Sequence, residues 1–114
     1  MTPLPSQFHT FEVLYEKGDH KVVYCLECEA FHIYYGTVSL DLYKSSLESL
    51  LEALKLYRQT YEELVPPTQR CIEVVTPFEG IRLLFSIEDL DQFSNMLRTA
   101  RRVFEEKSWR SHLN

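Results

Sequence analysis

Two cysteines three positions apart, Cys25 and Cys28, have the widest chemical range of any residues in this 114-residue chain. A Cys-x-x-Cys can be half of a zinc site, a dithiol–disulfide pair, or two thiols packed as small apolar groups. Structural zinc takes four Cys or His ligands, usually as two such pairs. The remaining candidates, Cys71, His20, His32 and His9, have no paired spacing, and Glu29 stands where a zinc knuckle commonly has glycine. A thioredoxin-type redox pair opens a helix after a strand, whereas Phe31–Tyr35 reads as another strand. The favoured reading is therefore two structural thiols and no cofactor. Zinc held by Cys25 and Cys28 is the first alternative, and a redox pair the second.

The next candidates are His32, Tyr34 and Asp41. If Phe31, Ile33 and Tyr35 face a core, the period-2 alternation of a strand puts His32 and Tyr34 on the opposite face. Asp41 and Ser39 fall on the wet side of the following strand. Ordinary cross-strand packing accounts for such residues. The alternatives are a ligand or enzymatic site near His32, or a protein contact, because tyrosine is enriched at interfaces. No Ser-His-Asp, paired-carboxylate or metal-type spacing unites them. Tyr57 and Tyr61, four apart, read as the edge of a helix stripe. Three glycines in the whole chain leave no phosphate-cradling loop. Trp109, in the charged segment EEKSWRSHLN, reads either as an anchor folding back or as a contact for a partner chain.

Composition limits the setting of these residues. An apolar fraction of 45% with 25% charged residues is globular, and the length suits one domain, 1–114, with poor order expected at 1–8 and 107–114. No apolar run approaches the ~20 residues of a membrane span. MTPLPSQFHTF lacks the basic and apolar regions of a signal peptide, so a cytoplasmic protein is expected. Three cysteines, an odd number, argue against a disulfide framework. The net charge of −5 is unevenly spread: residues 96–114 carry five Lys/Arg and two Asp/Glu, and the remainder seven and fifteen. An acidic body disfavours nucleic acid. The basic end suits the last turns of a helix, or pairing with the acidic body of the same or a neighbouring chain.

Elements that could position these residues follow from periodicity. Phe11–Glu16 alternates Phe11, Val13 and Tyr15 on one face, and Lys17–His20 turns the chain into Lys21–Leu26. Phe31–Tyr35 and Val38–Leu42 are two more strands; Gly36 between them marks a hairpin or a kink. Ser45 with Glu48 reads as a capping box. The stripe Leu47, Leu50, Leu51, Leu54, Tyr57, Tyr61 and Leu64 then predicts a helix ended by Pro66-Pro67. Cys71–Val75 and Ile81–Phe85 are the last strands. Ser86 with Asp89 caps a second helix whose stripe is Ile87, Leu90, Phe93, Leu97, Ala100 and Phe104. The order is ββ-ββα-ββα. A shift of 43 aligns much of the two ββα units but not their caps, which makes them analogous in plan.

Cys25, Cys28, Tyr35, Gly36, Val38, Leu40 and Ser45 together resemble a family of small uncharacterised proteins from Bacteroidetes-type bacteria. Its pattern is Cys-x-x-Cys, an aromatic-Gly-x-Val-x-Leu strand and a Ser-led helix. The resemblance implies a bacterial source and no activity. The expected fold is α+β: an antiparallel sheet of about six strands with two amphipathic helices on one face. The expected function is a non-enzymatic interaction module, a homodimer or the contact of another protein, formed through the uncovered sheet face or an edge strand.

Overall fold

The computed structural model describes residues 10–113, with side chains as far as Lys107. Residues 1–9 and the side chain of Trp109 lie outside that range, as does most of the expectation of poor order at the two ends. Six strands and two helices follow one another: β1 Phe11–Lys17, β2 His20–Cys25, β3 Ala30–Tyr35, β4 Val38–Tyr43, α1 Lys44–Tyr61, β5 Ile72–Val75, β6 Arg82–Phe85 and α2 Ile87–Leu113. The architecture is α+β with antiparallel strands, and the two helices pack on one face of the main sheet.

β1 to β4 form a meander in sequence order. Its turns explain the glycines. Lys17 pairs with His20 across Gly18-Asp19, and Tyr35 with Val38 across Gly36-Thr37. A two-residue link needs left-handed backbone, and Gly18 and Gly36 supply it with φ of 60° and 58°. Gly36 is thus a hairpin turn, not a kink. In β1 the alternation breaks. A bulge between Val13 and Tyr15 places Phe11 and Val13 on one face and Tyr15, opposite Val22, on the other. Leu14 and the next residue, Tyr15, therefore both lie on the inner side, which a strict period of two would not allow.

The core lies between the sheet and the helices. Phe31, Ile33, Leu40 and Leu42 point into it from β3 and β4, and Leu47, Leu50, Leu54, Leu90, Phe93 and Leu97 from α1 and α2. Two aromatic clusters fix α2 to the sheet: Tyr24, Phe31 and Phe104 at one end, Tyr35, Phe85 and Phe93 at the other. Ion pairs then set the antiparallel helices side by side: Arg101–Glu48 at 2.8 Å and Arg58–Asp91 at 2.7 Å. Arg101–Glu48 and Lys107–Glu12, the latter at 3.6 Å, direct two cations of the basic end onto the acidic body of the same chain.

Two expectations are corrected. The six strands do not form one sheet; β5 and β6 make a separate hairpin. α1 starts at the residue after β4, so it leads the chain away from that edge. The hairpin packs on the helices instead, and the Val75 N–H donates to the Tyr57 hydroxyl of α1 at 3.2 Å. The Ser45 cap is also absent: α1 begins at Lys44, with Tyr43 in the cap position and no side-chain cap bond. Glu48 pairs with Lys44 and Arg101 instead. The second box is formed in full, with Ser86 N–H donating to Asp89 Oδ2 at 2.9 Å and Asp89 N–H to Ser86 Oγ at 3.0 Å. Ser86→Ala is expected to cost about 1 kcal/mol of stability and Ser45→Ala less than about 0.5 kcal/mol, read as separate midpoints in urea.

Candidate functional site

Three groupings of polar or chemically active residues stand out, two of them on the sheet face that the helices leave uncovered. That face carries Phe11 and Val13 from β1, Lys21, Val23 and Cys25 from β2, Ala30, His32 and Tyr34 from β3, and Ser39, Asp41 and Tyr43 from β4, by alternation and register. His32 and Asp41 are direct cross-strand partners, with Nδ1 and Oδ1 2.6 Å apart. The imidazole is mostly covered, with Phe11 packed edge-on at 5.7 Å between centroids. A carboxylate on Nδ1 fixes the ring's orientation. On its own it gives no nucleophile; Ser39 shares the face but stands opposite Tyr34, one strand repeat away. Beside the pair an open apolar depression of about 480 Å³ is lined by Phe11, Val13, Val23, Tyr34 and Lys21. His32 and Asp41 are outside it. Tyr34, Tyr43, Phe11 and Val13 are all exposed.

The second grouping is the loop Leu26–Glu29, between β2 and β3. Glu29 N–H donates to the Cys25 carbonyl at 2.9 Å, and Cys28 N–H to Cys25 Sγ at 3.2 Å. Closing so tight a turn requires left-handed backbone at Glu29, φ 56°, the one non-glycine with positive φ among the described residues. Glutamate has therefore taken the conformation for which a knuckle uses glycine. Cys25 is fully buried, Cys28 is exposed, and neither is in a disulfide. A hydrogen bond with the Cys25 thiol, some desolvation and the negative charges of Cys25, Glu27 and Asp41 push the Cys28 thiol above its ordinary value. Neither His32 nor Cys71 joins them: among the described residues no three Cys, His, Asp or Glu converge as metal ligands. His9 falls outside those residues.

The third grouping was not anticipated from the sequence. Where the β3–β4 turn meets β6 and α2, the Tyr35 hydroxyl donates to Gln92 Oε1 at 3.1 Å and to Asp89 Oδ1 at 3.4 Å. Arg70 Nε donates to Asp89 Oδ2 at 2.9 Å, and His20 stacks on Tyr35 at 4.3 Å between centroids. A cleft of about 380 Å³ opens beside them, with Arg82 on its wall. Burial, then the adjacent Asp89 carboxylate, pushes the Tyr35 phenol up to about 12. Burial also opposes ionisation of Asp89, but the bonds from Arg70 and Ser86 outweigh it and hold the carboxyl below its ordinary value. The available signal was Tyr35 itself, since a tyrosine at a core-facing position needs a partner for its hydroxyl. Here the network is structural: it ties both hairpins to the start of α2.

No family model, curated protein or solved structure matches this chain. Two outcomes test the geometry. Glu29→Gly removes a left-handed glutamate and is expected to raise stability by about 1 kcal/mol, seen as a higher urea midpoint. For Tyr35, the raised phenol pKa means stability is intact below pH 10 and declines as pH rises from there towards 12. An ultraviolet titration is expected to show one tyrosine ionising after the rest, and Tyr35→Phe to abolish that last step.

Proposed function

We propose that this chain is a non-enzymatic interaction module that homodimerises through the uncovered face of the four-stranded sheet. The observation that carries this reading is the apolar and aromatic character of that face, where Phe11, Val13, Tyr34 and Tyr43 are exposed together. Scattered exposed apolar residues are ordinary, whereas a contiguous apolar patch marks a contact. The helices cannot serve as its cover, since their apolar stripes are used on the opposite face.

A second copy suits the face because its layout is self-complementary. A two-fold axis parallel to the strands would lay β1 over β4 of the second copy and β2 over its β3. Rows of register partners then meet: Phe11 lies level with Tyr43, and Lys21 with Tyr34. The first is an aromatic contact and the second a cation over a tyrosine ring. Strands of six residues, four abreast, give a footprint of roughly 20 by 19 Å. That is about half of the ~800 Å² per partner typical of stable complexes, so the dimer belongs to the weak, concentration-dependent class. Sedimentation velocity is expected to show monomer passing to dimer at tens of micromolar. Val13→Asp and Tyr34→Glu should each return the chain to monomer without moving its unfolding midpoint. A wild-type chain that sediments as monomer throughout that range overturns the reading.

A further inference from the structure

The cleft where the β3–β4 turn meets β6 is of a size that suits a ligand. Its volume of about 380 Å³ falls within the range of small-molecule sites. Val38 and Leu84 give it an apolar side, and the stacked rings of His20 and Tyr35 an aromatic one. Leu83, Leu84 and Phe85 line it in succession. Successive strand residues point to opposite faces, so this wall includes main chain of β6, a strand whose ladder partner, β5, is on one side only. Arg70 and Arg82 complete the lining. We propose that the cleft binds a small organic monocarboxylate, with the two arginines receiving the carboxylate and Val38, Leu84 and the ring stack its apolar body.

Three observations select this ligand. First, Arg82 is exposed and its guanidinium has no hydrogen bond or ion pair among the described residues. Second, Arg70 is held in place with donors to spare. Its Nε and Nη2 donate to Asp89 at 2.9 and 3.5 Å, and Asp89 is itself fixed by Ser86. A guanidinium has five N–H groups, so most remain for a ligand, and holding the group beforehand lowers the ordering cost of binding. Third, the charges on the walls suit one negative charge and oppose two. Asp89 offsets Arg70, and Asp19 lies beside His20 at 3.4 Å, which leaves Arg82 as the unmatched cation. A phosphate monoester would set its second charge against Asp19 and Asp89. A carboxylate is planar and matches the guanidinium fork with two parallel hydrogen bonds.

Binding here makes and breaks no covalent bond. The site lies on the inner side of the β3–β4 hairpin, at its join with α2, and is separate from the sheet face assigned to the dimer.

The test is an NMR titration of the isotope-labelled full chain with hexanoate and with phenylacetate, at one fixed protein concentration. Saturable shifts are expected at the backbone N–H of Gly36, Thr37 and Leu84 and at the Arg82 Nε–H, with a Kd on the order of 1 mM. Hexanamide and phenylacetamide keep the shapes without the charge and are expected to bind at least about tenfold more weakly. Inorganic phosphate is expected to bind more weakly than either carboxylate. Arg82→Gln is expected to weaken carboxylate binding about tenfold without moving the urea midpoint, because Arg82 is exposed and holds no ion pair among the described residues. Arg98→Gln, in the groove between the helices, is expected to bind as the wild type does. Neither carboxylate giving saturable shifts at the cleft overturns the proposal, as do amides that bind equally well, phosphate that binds more tightly, or an Arg82→Gln chain that binds unchanged. Shifts confined to Val13, Tyr34 and their neighbours would place the ligand on the open face and also overturn it. Sedimentation of the ligand-free chain reports on the dimer independently.

Discussion

The packing of Phe31, Ile33 and Tyr35 into the core between the sheet and the helices is the contact on which the remaining structure depends. These three alternate residues of β3 face the helices, and Phe31 and Ile33 are wholly buried. Full burial of such a side chain is worth roughly 1.5–3 kcal/mol, enough to make the choice of face one-sided. Register then propagates it. With Phe31 opposite Tyr24 and Leu42, and Ile33 opposite Val22 and Leu40, all four strands inherit the same inner face. A slip by one residue would exchange that set for Ala30, His32 and Tyr34. The open face is thus a consequence of the core, and its aromatic content is what the core leaves over.

Much of this was legible in period alone. The two residue faces of β3 and β4, both helices and the element order follow from alternation and from leucine spacing. What failed did so for identifiable reasons. Tyr15 was assigned to the face of Phe11 and Val13 because a bulge adds one residue and reverses the alternation after it, and nothing in FEVLYEK signals that insertion. Ser45 and Ser86 present the same Ser-x-x-acid pattern, but only Ser86 follows a chain that has left its strand. At Ser45 the strand runs straight into the helix and the start moves to Lys44. The pattern gives a cap's chemistry; the approach of the backbone decides whether it is used.

The two-sheet arrangement has a similar origin. Strand character in Ile72–Val75 and Arg82–Phe85 is local and was readable, but which edge they pair with is a matter of long-range geometry. Four-residue strands offer few ladder bonds, and Tyr57 takes the Val75 N–H. Once α1 departs from β4, the hairpin gains more by covering the helices, where Ile72, Val74, Leu83 and Phe85 are buried, than by crossing to that edge. The Tyr35, Asp89 and Arg70 network then closes the join between the two sheets. It was invisible in sequence because its members are as many as 54 positions apart.

The same distinction separates the two cysteine readings. Sequence spacing could not choose between packed thiols and a ligand pair, because Cys-x-x-Cys serves both. A purely packed cysteine has no need of a backbone turn aimed at its sulfur, nor of a glutamate held at φ 56° to complete that turn. Left-handed backbone at a residue with a Cβ costs roughly 1–2 kcal/mol, and such strain persists where something else fixes the chain. The closing bond from Glu29 to Cys25 fixes it here, and its effect is to keep the Cys28 N–H on Cys25 Sγ. Burial alone would be satisfied by Cys25 with any relaxed four-residue link from β2 to β3. The strain is specific to the closed loop, in which the backbone N–H of Cys28 meets the sulfur of the buried Cys25.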